Sequence, residues 1–274
     1  DPGPPVDPVA VTSALKRTEA WLRTFTIDPY SGSGSDSLRF FAIEVDCWHR
    51  LWIAESDPAR KQILDDAIRQ RLDRFLKPER ITAMLRAQGS MQGVLEVLLL
   101  MSRCREHGID PAPLSPVIQS IAPAIQSEMD RHPASMAVLY AWVMERNGID
   151  VGRPLEAYRS RGLLFLQPRE VEMSAGDVAG LTQEILAFTD GGTRALVPAA
   201  PDERRYLERV LPYFATAYTL LGRLEMVGDL LTCMSCTGMS GSVGYRDALR
   251  ALLSRQNRDG SFSGTPDAQG SRVQ

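Results

Sequence analysis

Arg105-Glu-His-Gly108-Ile-Asp110 and Glu145-Arg-Asn-Gly148-Ile-Asp150 share the core Gly-Ile-Asp and lie 40 residues apart. Each follows an apolar run with helical spacing. Val94, Leu95 and Val97 to Met101 precede the first, and Met136, Val138, Leu139, Tyr140, Trp142, Val143 and Met144 the second. Glycine after such a run reads as a left-handed helix stop, with the following Ile folding back on the helix just ended. A period of about 40 residues with two helices per unit is the signature of stacked helical hairpins.

Outward from this pair the chain stays helical. A first helix is expected from Val9, where Val11, Ala14, Leu15, Trp21, Leu22 and Phe25 fall at helical spacing, and further helices at 38–55, 58–76, 78–88, 91–106, 114–131 and 134–146, then at 154–161, 176–189, 203–222, 224–236 and 242–256. Asp36 or Ser37 is the expected cap of the second helix. Ser56-Asp57-Pro58 reads as a start signal, because proline suits the first helical turn. No sustained period-two run suggests a strand. The helix at 38–55 carries Phe40, Phe41, Ile43, Val45, Cys47, Trp48, Leu51, Trp52 and Ile53 around most of its circumference. A helix apolar on nearly all sides belongs inside a larger assembly. Five to six hairpins with an apolar inner set favour closure into an α/α toroid over an open solenoid. The expected organisation is a loose Pro-rich arm at 1–8, a single helical domain over 9–264 and a disordered tail at 265–274.

Composition bounds the function. The 274 residues are 44% hydrophobic and 24% charged, ordinary values for a globular chain with a sizeable core. The formal net charge of −3 argues against a general nucleic-acid or anionic-membrane binder. Only Lys16, Lys61 and Lys77 of the 31 basic residues are lysine, and the arginines are spread rather than clustered. Four cysteines that sit far apart except for the Cys233–Cys236 pair, no long apolar span and no secretory n- and h-regions point to a reduced, cytoplasmic protein.

Two local resemblances add to this reading. Gln256-Asn-Arg-Asp259-Gly260-Ser-Phe262 is similar to the Gln-x-x-Asp-Gly-Ser-aromatic turn of α/α toroids in the terpenoid-cyclase and protein-prenyltransferase superfamily. That resemblance implies a toroid in which the Gly makes the turn and the aromatic packs on the preceding helix. The cyclase acid motif and the zinc pattern of lanthionine cyclases are absent. Leu181-Thr-Gln183-Glu-Ile-Leu-Ala-Phe188-Thr-Asp190-Gly-Gly192 resembles a Leu-Thr-His-x-x-Phe-Tyr-x-Thr-Asp-Phe-Gly stretch of uncharacterised bacterial helical proteins encoded near natural-product genes. Gln183 stands where that stretch has His, so any chemistry of that His is lost or rebuilt here.

Few residues could carry chemistry. Asp46 and His49, at i and i+3, share one face of the 38–55 helix. A carboxylate beside an imidazole raises its pKa and fixes its tautomer, which suits proton transfer. Asp190, at a helix end, is a further candidate acid, base or anchor. Phe40, Trp48 and Trp52 could wall a cavity, and Gln183 could bind substrate. The alternative for each is a satisfied structural group. Cys233-Met-Ser-Cys236 supplies only half a tetrahedral zinc site. Cys104 with His107, or Cys47 with His49, would have to complete it, whereas the apolar surroundings suit small core residues. No metal is therefore assigned, with Cys104, His107, Cys233 and Cys236 as the alternative ligand set, and no cofactor is expected. His107 in a last helical turn complements the dipole, and His132 precedes a proline at a helix junction. The expected function is an enzyme or accessory protein of bacterial specialised metabolism that holds a small apolar molecule or a peptide in a toroid cavity. A homodimer is compatible with this. The alternative is a non-catalytic scaffold or binding protein with a filled core. A polar cavity connected to solvent would favour the first, and a filled core with Asp46 and His49 satisfied by backbone the second.

Overall fold

The computed structural model describes residues 5–31, 35–88, 91–129, 131, 134–150 and 152–262. The expected tail at 265–274 and the first residues of the expected arm lie outside these. The fold is all-α: among the described residues there is no strand, only an isolated bridge between Gln256 and Phe262. The helices are α1 (Pro8–Leu22), α2 (Ser35–Ala54), α3 (Pro58–Phe75), α4 (Pro78–Gln88), α5 (Met91–Glu106), α6 (Ser115–Met129), α7 (Ala134–Arg146), α8 (Leu163–Leu166), α9 (Ala175–Phe188), α10 (Pro201–Leu220), α11 (Leu224–Cys236) and α12 (Val243–Ser254). Short 3-10 turns occupy Ala112–Leu114, Leu155–Arg161 and Glu170–Glu172.

Local chemistry explains most boundaries. Asp57 caps α3 by accepting from the Ala59 N–H at 3.0 Å, with Pro58 in the first turn. The repeated Gly-Ile-Asp pair closes α5 and α7 in the same way. Gly108 and Gly148 take left-handed φ of 67° and 69°. The Ile109 N–H then reaches Cys104 O at 2.8 Å and the Ile149 N–H reaches Met144 O at 3.0 Å. These are the long back-bonds of a Schellman end. Asp110 and Asp150 each turn the chain onward by accepting the N–H two residues ahead, from Ala112 and Gly152.

Some expectations are corrected. The second helix starts at Ser35, upstream of the expected Asp36 or Ser37 cap. The helix expected at 154–161 is a 3-10 turn, and the single turn α8 was not anticipated from the sequence. Its reason lies outside the segment: the buried Glu184 carboxylate on α9 accepts the Leu163 and Leu164 N–H groups at 2.9 and 3.1 Å. A carboxylate at this N-terminus satisfies donors a helix cannot pair itself.

The chain forms two compact units. The first comprises 22–132 with 143–154, and its core lies between α2, α3 and α5. Phe41 stacks on Phe75 with centroids 6.3 Å apart, and Leu38, Val45, Leu64, Ile68, Leu72, Val97 and Leu98 are buried around them. The second comprises 1–21, 133–142 and 155–274, with a core drawn from α9 to α12: Leu181, Ile185, Tyr206, Val210, Leu211, Val227, Leu230 and Met234. Burying each side chain of this size contributes about 1.5–3 kcal/mol.

Within the second unit the turn after α12 docks on α1. Gln256 donates to Ala14 O and Thr18 Oγ1, both at 2.9 Å, and accepts from Arg17. Gly260 has φ of 98°, and a Cβ there would overlap the Arg17 carbonyl. The expected apolar surround of α2 is only partly buried: Phe41, Val45 and Trp48 are inside, but Phe40, Ile43 and Ile53 are exposed.

Candidate functional site

The polar stripe of α2 lies against α3, α5 and the last turn of α7, all within the first unit. The structure redistributes the expected Asp46–His49 pair. Asp46 turns to arginines: Arg50 Nε donates to it at 2.7 Å, and Arg103 Nη2 donates at 2.6 Å. Burial alone would raise its pKa, but the two guanidiniums outweigh burial and bring it down to about 2. At neutral pH Asp46 is a fixed anion rather than a proton carrier.

His49 pairs instead with His107. Its Nδ1 lies 2.9 Å from His107 Nε2, and the two rings meet edge to face. His107 Nδ1 lies 2.5 Å from Asp65 on α3, which Arg69 also holds at 2.6 Å. On the far side, His49 Nε2 faces Glu106 Oε2 at 3.4 Å. Glu106 is itself held by Arg103 at 2.7 Å and by Arg146. Asp65, His107, His49 and Glu106 thus form one string across α3, α5 and α2. Its middle is closed, with side-chain exposures of 0% for His107 and 4% for His49. Its ends reach the surface at 15% for Asp65 and 22% for Glu106.

Electrostatics opposes the expected rise in His49 basicity. Burial, then the Arg103 charge and the neighbouring His107, push its pKa down to about 3 despite Asp46. Burial likewise lowers His107, with Asp65 pulling the other way. Trp52 lies against both rings, at 5.5 Å from His49 and 4.9 Å from His107, and Lys61 Nζ sits 4.3 Å over its face. Trp48 is fully buried rather than a cavity wall. Arg71 and Arg23 lie over its ring at 4.6 and 5.3 Å, and its indole N–H has no acceptor among the described residues. Arg71 is in turn paired with Glu44 at 2.6 Å.

The other expected residues lie in the second unit. Asp190 follows α9 and takes a left-handed φ of 55°, uncommon for a residue with a side chain. Its carboxylate accepts from Trp142 Nε1 at 3.2 Å and pairs with Arg194 at 3.7 Å. Gln183 is half-buried on α9. Of the alternative metal set, Cys104 and His107 lie in the first unit and Cys233 and Cys236 in the second, and no group of three or more His, Cys, Asp or Glu able to hold a metal occurs among the described residues. The Cys233 thiol points to Thr182 O and the Cys236 thiol to Gly192 O, and none of the four cysteines is in a disulfide. Burial pushes Cys47 and Cys104 up to about 11 and about 12, far from a reactive thiolate. His132 lies outside the described residues.

Sequence reasoning missed Asp65, Glu106 and the partnership of the two histidines. The only local signals were Asp65 four residues before Arg69 and Glu106 next to His107. It also missed Glu96, buried in the apolar first half of α5. Its one polar contact among the described residues is Gln92, at 2.5 Å, and burial pushes its pKa up to about 7.

A family model described as a domain of unknown function (DUF6895) matches residues 14–273. No curated protein and no solved structure matches the chain. No helix among the described residues is long and apolar enough to cross a membrane.

Proposed function

The chain belongs to the DUF6895 family, and on the geometry above we propose that it works as a helical binding or scaffold protein rather than through Asp46, His49 and Asp190 as catalysts. One observation carries this: each acid–base group expected to meet a substrate is already engaged by the protein itself. Asp46 is shared by two arginines, His49 is turned to His107, and Asp190 holds Trp142 and Arg194. A general base needs a lone pair within reach of the substrate proton, and burial closes both imidazoles off.

Two further parts belong to this proposal. Ring closure of the hairpins is supported by the docking of the Gln256–Phe262 turn on α1. A setting in bacterial specialised metabolism, with a small molecule or peptide as the bound partner, is supported by the resemblance of residues 181–192 alone. The test is complementation in the source organism. Asp46→Asn with Asp190→Asn, shown by circular dichroism to be folded, should restore the phenotype of a deletion strain as well as wild type does. A folded double variant that fails to restore it would return these residues to catalysis.

A further inference from the structure

The order of protons along the buried string follows by elimination. Asp65 is held as a carboxylate by His107 and Arg69, so it only accepts. His107 Nδ1 must then carry the proton it gives to Asp65. In a neutral ring that leaves His107 Nε2 as the acceptor. His49 Nδ1, 2.9 Å away, must therefore be the donor. One ring nitrogen stays bare, His49 Nε2, and it faces the Glu106 carboxylate at 3.4 Å.

We propose that Asp65, His107, His49 and Glu106 form a proton-sensing latch at the junction of α2, α3 and α5, with a single vacancy at His49 Nε2, and that filling the vacancy loosens the junction. Protonation there makes an imidazolium that can donate to Glu106. It also sets a cation among cations. Arg50 on α2, Lys61 and Arg69 on α3, Arg103 on α5 and Arg146 at the end of α7 face the cluster, against Asp46, Asp65 and Glu106. Glu106 is already committed to Arg103 and Arg146, so it offsets the new charge poorly, and burial denies it water. The proton is therefore bound more readily when the three helices part.

The sign follows. A histidine whose folded pKa lies below its unfolded value contributes stability that is complete above the unfolded value, about 6.5. That stability is lost as pH falls from there toward the folded value. One such group shifts the opening equilibrium about tenfold between pH 7.5 and 5.5.

The test is amide hydrogen exchange at pH 7.5 and 5.5 on wild type and His49→Gln, corrected for intrinsic rates. Gln can still donate to His107 Nε2 but does not titrate. Glu96 and His107 are present in both proteins, so the difference between them isolates His49. In α2, α3 and α5 the wild type should lose about tenfold more protection on acidification than His49→Gln, while α10 to α12, which contain no histidine, should respond alike in both. Equal losses in α2, α3 and α5 would overturn the proposal. Should the variant fold poorly, 15N spectra of wild-type histidine rings at pH 7.5 decide. His49 protonated at Nδ1 and bare at Nε2 is the expected result, and a proton on Nε2 overturns the latch.

Discussion

His107 and Asn147 stand at the same place in the ends of α5 and α7, each one residue before a left-handed glycine, each buried, and each reaching back to earlier helices. His107 meets His49 on α2 and Asp65 on α3. Asn147 donates to Leu98 O and Ser102 Oγ on α5, both at 2.9 Å, and to Val143 O. Arg105 on α5 closes the contact by donating to the Asn147 side chain and backbone. Asn147→Ala removes a side-chain amide with no route to water. It should cost about 2–3 kcal/mol, read as a lower urea midpoint at unchanged slope.

Glu96 should make the protein less stable in base. Its folded pKa is raised to about 7 from an ordinary 4.5. The folded state therefore holds a proton that the unfolded chain releases. The stability this supplies is complete below 4.5, falls as pH rises toward 7 and is gone above it. Glu96→Gln keeps the shape without the charge. It should stabilise by up to about 3 kcal/mol at pH 8 and be near neutral at pH 4.5, measured by denaturant unfolding at the two pH values.

Asp190 combines a left-handed backbone with a useful side chain. Asp190→Ala keeps the backbone strain and loses the Trp142 hydrogen bond, so it should destabilise by about 1–2 kcal/mol. Asp190→Gly relieves the backbone and should cost less. Asp190→Asn keeps the acceptor and tolerates the conformation, so it should lie closest to wild type. Thermal unfolding of the three variants gives the ranking, and an Ala variant as stable as Asn would refute this account of the site.

Gly260→Ala should fail at the α1 dock. A side chain there meets the Arg17 carbonyl in a conformation that disfavours any Cβ. We expect a loss of about 2–4 kcal/mol and faster proteolysis within α1. Gln256→Ala, which removes the hydrogen bonds to α1 without a clash, should show the same pattern more weakly.

What could be read from the sequence was local. The Gly-Ile-Asp ends were legible because a helix stop depends on residues a few positions apart, and both form as expected. The Asp57–Pro58 start was legible for the same reason. The Asp46–His49 pair was not. Their spacing places both on one face, but side-chain partners come from whatever packs there. Arg103 took Asp46, and His107, 58 residues away, took His49. The wall assigned to Trp48 and Phe40 failed likewise: one is fully buried between arginines and the other is exposed. Periodicity shows that a helix has an apolar face. It does not show which apolar residues remain uncovered when neighbours run out.

The helix ends at Gly108 and Gly148 are one socket fitted with two plugs. Their backbone bonds use only main-chain groups, so the residue before the glycine varies without disturbing the path of the chain. In one copy it is an amide that stitches carbonyls together; in the other it is an imidazole joined to a second imidazole. The main-chain closure thus leaves the choice of buried polar group at each end to the helices packed against it.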